Sequence, residues 1–193
     1  MMQNRFPLLL LVASLFVGGA VMATNAEKAF YQKAYPVQYS YWVEEYADKN
    51  DLDPALVYAV IRTESSFRPL AWSSVGARGL MQLTEETFEW VAYRMHDQSG
   101  TVYEDMFDPE ANIRYGTYLL KDLLAEFGTE ANALCAYHAG WGNAKNWLSD
   151  PQYSPDGKNI ETIPFEDTRG YVKKVLDTKE IYQELYQMNR QGG

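Results

Sequence analysis

Few residues in this chain have the type and spacing to do chemistry, and several familiar arrangements are set aside at once. The two histidines, His96 and His138, lie far apart, and neither an HExxH nor a CxxC spacing occurs, so metal catalysis lacks its ligand pattern. Gly76-Ala77-Arg78-Gly79 does not have the spacing of a phosphate-binding or dinucleotide loop. Ser65 and Ser73 sit in no nucleophile elbow. The single cysteine, Cys135, lies in the apolar run ANALCAY, which suits a buried structural thiol better than a nucleophile. What remains is a carboxyl group. Glu64 stands at the C-terminal end of an apolar stretch beginning at Pro54. The partial negative charge of a helix C-terminus disfavours an anion there and holds the proton more tightly, as a general acid requires. The competing reading is an ordinary surface glutamate at a helix end. No metal and no cofactor is expected.

Such an acid needs elements to hold it. Asp53 offers an N-cap and Pro54 a first helical position. Ala55, Leu56, Val57, Ala59, Val60 and Ile61 make the following helix apolar over most of its surface, which places it at the centre of a domain. Before it, Tyr39, Trp42, Val43, Tyr46 and Ala47 recur at helical spacing until Asn50-Asp51. Pro69, Gly76 and Gly79 mark a loop, with room for a small hairpin between Ala71 and Leu83. Thr84 can cap a helix continuing through Met95, and residues 97–107 read as polar and irregular. Asp108-Pro109 starts a helix that stacks Ile113, Gly116, Leu119, Leu120, Leu123, Leu124 and Phe127 on one face and ends at Gly128. Thr129 caps another to Tyr137, Gly140 and Gly142 break it, and a short helix from Asn143 to Leu148 follows. Residues 149–160 read as loop, and the last helix runs from about Thr168 to Gln187. The expected fold class is mostly α, a compact helical domain wrapped around the Glu64 helix.

Four segments then occur in order: ESSFRPLAWSSVGARGLMQL, FDPEANIRYGTYLL, AYHAGWGNAKNWL and IPFEDTRGYVKKVL. Together they resemble the lytic transglycosylase family, enzymes that cleave peptidoglycan glycan strands on an α+β, goose-type-lysozyme-like fold. The resemblance covers roughly residues 40 to 187. It implies that Glu64 is the catalytic acid/base and that Ser73 contacts the N-acetyl group of the sugar being cleaved. It also implies that Gly79, Leu80, Met81 and Gln82 line the groove, with Gln82 hydrogen-bonding substrate, and that Tyr137 stands near the reacting sugar. The last segment, with Asp167 and Arg169, frames and supports the cleft. Three departures stand out: His138 replaces the asparagine of AYNAG, Thr84-Glu85 replaces the usual Met-Pro, and Asp167 stands where glutamate is usual. His138 can still donate and accept near substrate as an amide does.

The mechanism so implied needs one carboxyl group. Most glycosidases place two across the scissile bond, and none lies beside Glu64 in this sequence. The acetamido group of the substrate can take the second role at high effective concentration. Glu64 then protonates the leaving oxygen and returns as base on the sugar's C6 hydroxyl, closing a 1,6-anhydro ring. A muramidase that uses water instead, and a non-catalytic glycan-binding envelope protein, stay open as alternatives.

The 193 residues, 47% of them hydrophobic, can bury one substantial core. A net charge of −9 argues against nucleic acid or anionic lipid as partner. The 15 tyrosines and 5 tryptophans suit either a saccharide groove or core packing. At the N-terminus, Arg5, the apolar run PLLLLVASLFVGGAV and Val21-Met22-Ala23 read as an export signal over residues 1–23, or as a retained membrane anchor. The expected organisation is therefore a leader (1–23), a linker (24–38) and a catalytic domain (39–190), acting outside the cytoplasm as a monomer on glycan strands.

Overall fold

The computed structural model describes residues 27–188; the expected leader lies outside them. The chain divides into two units, one ending at Pro36 and one beginning at Val37. In the first, residues 27–34 form a helix, α1, and Tyr31 stacks on Tyr35 with ring centroids 6.3 Å apart.

The second unit contains α2 (Ser40–Lys49), α3 (Pro54–Ser65), α4 (Glu85–Met95), a 3₁₀ turn (Tyr103–Phe107), α5 (Pro109–Phe127), α6 (Glu130–Ala139), α7 (Trp141–Ser149) and α8 (Glu166–Tyr186). Among the described residues there is no strand; the hairpin expected after Ala71 is reduced to single bridges, Trp72 to Arg78 and Arg78 to Leu83. The cap signals fold as read. Asp53 accepts from the Ala55 N–H at 2.8 Å, Asp108 from Ala111 at 3.0 Å, and Thr129 from Asn132 at 3.2 Å, each meeting a donor that the first helical turn cannot satisfy itself.

Every side chain from Ala55 to Ile61 is buried, so α3 is central, as its apolar circumference requires. It packs against α8 and α2, while α5 packs against α2, α4 and α6, and α6 against α7 and α8. The α3–α8 contact stacks Tyr58 on Tyr182 at 5.3 Å. It also joins the α3 cap to α8: the Asp53 carboxylate accepts from Gln183 at 2.6 Å and faces Lys179, which reaches Glu130 at 2.6 Å.

Two local expectations change. Gly142 does not break a helix; α7 already begins at Trp141, because Gly140, with φ 90°, makes the whole turn between α6 and α7. Residues 97–107 are not merely a polar connection. Tyr103 and Met106 are buried, and the Tyr103 hydroxyl donates to the carbonyls of Gly76 and Leu83, at 2.5 and 3.1 Å, under the loop that follows α3.

Candidate active site

Glu64 occupies the last turn of α3, and the chain reverses immediately after it. Ser66 and Phe67 both adopt left-handed backbone, φ 51° and 62°, which costs a non-glycine residue about 1 kcal/mol. Phe67 holds the reversal by burying its ring near Tyr58, at 6.3 Å. The open helix end is closed from the loop, where Arg68 Nε donates to the Ser65 carbonyl at 3.0 Å.

The Glu64 carboxyl is pushed up from 4.5 to about 7, chiefly by burial; the Tyr171 hydroxyl and the more distant Lys174 charge oppose the shift. Its position at the C-terminal end of α3 acts in the same direction as burial. The expected direction thus holds, but desolvation is the larger cause. Among the described residues, the side chains that bear on its ionisation are Tyr171 and Lys174, and neither is a carboxylate.

Two tyrosines flank the acid. Tyr137, on α6, feels the Glu64 charge, and its own ionisation is pushed far up by burial; its hydroxyl donates to the Met81 carbonyl at 2.6 Å. Tyr171, on α8, has a buried hydroxyl directed toward Glu64, close enough to favour the anion although the geometry falls short of a complete hydrogen bond. The sequence reading passed over Tyr171, whose signal was its place within the RGYV part of the closing segment. Tyr137 therefore links the acid to the loop of residues 71–83.

That loop is knit by short-range bonds. Gly79, at φ 79°, donates to the Ala71 carbonyl at 2.9 Å. A Cβ there would lie 2.0 Å from the Met106 carbonyl oxygen and 2.3 Å from Asn112 Nδ2, so only glycine fits. Gln82 Nε2 donates to the carbonyls of Ala71 and Gly79, at 3.1 and 2.9 Å, which commits its amide nitrogen to the loop. Ser73 Oγ accepts from the Ala77 N–H at 3.0 Å, so the hydroxyl proton is the part it can offer outward.

Met81 corrects an expectation. Its side chain is fully buried and packs so closely on α5 that a Cβ on Gly116 would meet its sulfur at 2.3 Å. Packed on α5 with no exposed face, its thioether belongs to the core. Asn112 was also passed over. Fully buried on α5, it accepts from the Met81 N–H at 2.7 Å and donates to the carbonyls of Arg78 and Met106, both at 2.9 Å.

The closing segment sits behind Tyr171. The His138 ring stacks on Tyr171 with centroids 4.5 Å apart, and its Nδ1 lies 3.0 Å from Thr168 Oγ1. Partial burial lowers the imidazole pKa, against the pull of Asp167. Asp167 accepts from the Thr168 N–H at 2.8 Å, and Arg169 Nη1 donates to the Ile163 carbonyl at 3.1 Å. These residues support Tyr171 and the start of α8. Among the described residues, no group of three or more His, Cys, Asp and Glu side chains is arranged to hold a metal ion.

Beside Tyr137 opens a cleft of about 650 Å³ between α4 and α5, lined among others by Trp90, Arg94, Asp122, Glu126 and Trp141. Tyr137, which feels the Glu64 charge, is one of its lining residues, and a partly buried acid with a raised pKa is itself a mark of a functional site.

Comparisons with known proteins identify the family. The model of the Transglycosylase SLT domain matches residues 41–160, and that of the Soluble lytic transglycosylase helical domain matches residues 162–191. The soluble lytic murein transglycosylase of Escherichia coli (strain K12) is 32% identical over 85% of this chain. The Transglycosylase of Enterobacteria phage PRD1 is 38% identical over 58% of this chain and 38% of its own length. The crystal structure of the 70 kDa soluble lytic transglycosylase from E. coli superposes with a TM-score of 0.75 at 31% identity, covering 86% of this chain and 28% of that one. An inactive glutamate-to-glutamine mutant of lytic transglycosylase Slt from Pseudomonas aeruginosa gives a TM-score of 0.73 at 31% identity, covering 82% of this chain and 26% of that one. The chain spans about a quarter of the length of the curated soluble relatives it matches. With an SLT-domain match running through the part of the chain that carries Glu64, the loop and Tyr137, this chain belongs to the lytic transglycosylase family.

Proposed function

We propose that the protein is a peptidoglycan lytic transglycosylase that cleaves the bond between N-acetylmuramic acid and N-acetylglucosamine without water. The observation that carries the reading is Glu64, half-buried, with a pKa near 7 and no second carboxylate acting on it. A neutral carboxyl can protonate the leaving glycosidic oxygen at neutral pH. With no opposing carboxylate, the cationic anomeric centre is met from within the substrate by the acetamido carbonyl. The Ser73 hydroxyl orients that acetamido group, and Gln82 Oε1 takes a sugar donor. Once the leaving group has departed, Glu64 is an anion in a desolvated site, a stronger base than a carboxylate in water. It removes the proton from the C6 hydroxyl, which attacks the anomeric carbon; the bond to the acetamido oxygen breaks, and a 1,6-anhydro end forms. Tyr137 fixes the loop to the acid, and Tyr171 steadies the anion between the two steps.

Relatives named membrane-bound lytic murein transglycosylases and the apolar N-terminal run support action outside the cytoplasm, free or anchored. Among the described residues no helix is long and apolar enough to cross a membrane. The deciding experiment digests purified peptidoglycan and identifies the product ends by mass spectrometry. Anhydro ends are expected, and Glu64→Gln should release nothing while still binding the wall. Reducing ends, heavier by one water, would make the enzyme a muramidase.

A further inference from the structure

The two tyrosines that flank Glu64 are held in different ways. Tyr137 is fixed at its hydroxyl, which donates to the Met81 carbonyl at 2.6 Å. The Tyr171 hydroxyl is buried and falls short of a complete hydrogen bond, so its place beside the acid must be set through the ring. Among the described residues, the aromatic ring stacked on it is His138, with 4.5 Å between centroids and 29° between planes. At that separation aromatic pairs attract beyond the area they bury.

The same imidazole has a second hold on α8. Its Nδ1 lies 3.0 Å from Thr168 Oγ1, and Thr168 is only 1% exposed, so its hydroxyl needs a partner. Thr168 and Tyr171 stand three residues apart and share a face of the helix. His138 therefore spans one turn of α8, with its nitrogen on one residue and its ring face on the other. It follows Tyr137 directly on α6, so adjacent residues carry one flanking tyrosine and grip its counterpart. Lys174, which also favours the Glu64 anion, continues the same row along α8. An asparagine could keep the bond to Thr168 but offers no ring to Tyr171.

We propose that His138 is a positioning residue for the acid, its imidazole face clamping the Tyr171 ring so that the phenol hydroxyl stays directed at Glu64. The inference rests on the reading of Glu64 as acid and base, and it assigns His138 no contact with the sugar. Helix α6 packs against α5, α7 and α8. Among the described residues of these elements, Asp167 of α8 is the charged group that bears on the imidazole, and Tyr171 is the titratable group in contact. Partial burial outweighs Asp167 and holds the imidazole pKa below 6.5. The clamp is thus mostly a neutral ring where Glu64 titrates.

The test compares, in the full chain, His138→Asn, which keeps the Thr168 bond, with His138→Phe, which keeps the ring. His138 lies at the surface, so both variants should fold. The Glu64 pKa is read from its side-chain carboxyl carbon by NMR, and kcat and KM are measured on soluble glycan strands. His138→Asn should raise the Glu64 pKa, as Tyr171→Phe does, lower kcat about threefold, the equivalent of half a pKa unit, and leave KM unchanged. His138→Phe should recover most of both losses. In a Tyr171→Phe background no hydroxyl remains to be positioned, and His138→Asn should add nothing to the pKa. A Glu64 pKa that stays in place in His138→Asn, or moves equally in His138→Phe, would overturn the clamp. So would a raised KM with kcat preserved, which would make His138 a substrate contact, or a further pKa shift in the double variant. Should the unaltered enzyme release nothing from glycan strands, the functional reading fails, and the NMR titration still decides the clamp.

Discussion

Glu64 is neutral up to about pH 7 because its carboxyl is desolvated, and the pH dependence of activity follows from the sign of that shift. The acid form is present below about 7 and is lost as pH rises through it, so kcat/KM should fall on the alkaline side with a midpoint near 7. The Tyr171 hydroxyl favours the anion. Removing it in Tyr171→Phe should move that limb upward by roughly half a unit while lowering kcat, since the anion needed as base is less well held. A pH–rate profile of both proteins checks this, and a limb that stays in place or moves down would remove Tyr171 from the site.

At the scale of elements, the loop of residues 71–83 has almost no regular structure and is positioned from outside. Asn112 of α5 holds it at Met81 and Arg78 and ties it to Met106, beside the bonds from Tyr103 and Tyr137. Asn112→Ala leaves one donor and two acceptors buried without it. The expected cost is about 3 kcal/mol in urea unfolding, with a loss of activity larger than the loss of folded protein, because the loop drifts from Tyr137. A variant of wild-type stability would show that the loop holds itself.

For the whole molecule, the acid is a cost to folding, and linkage gives its size and window. The folded pKa of Glu64, about 7, lies above its ordinary 4.5. Below pH 4.5 the carboxyl is neutral in both folded and unfolded states and takes nothing from stability. Between 4.5 and 7 the unfolded state ionises first, and stability falls; above 7 the full difference, at most about 3 kcal/mol, is lost. Glu64→Gln should therefore melt higher than the wild type at pH 8 and equally at pH 4, as thermal unfolding across that range would show. Equal melting at pH 8 would mean that the carboxyl is solvated.

The sequence by itself determined the helices and the acid. Caps such as Asp53-Pro54 and Asp108-Pro109 act within a few residues, so their outcome is written locally, and a helix apolar on all sides can only be central. Glu64 was legible as a candidate because its place at the end of α3 follows from the same local pattern. The tertiary structure decided what surrounds it. Met81 reads as a groove residue and proves to be core, since its burial depends on Gly116 of another helix. The tyrosines that flank the acid come from α6 and α8, and the aromatic surplus divides between core rings, such as Tyr58 and Tyr182, and exposed ones, such as Trp90 and Trp141. Spacing along a chain fixes which residues share a helix face. Desolvation, the force that turns Glu64 into an acid, belongs to no segment and arises only when α3, α6 and α8 close around it.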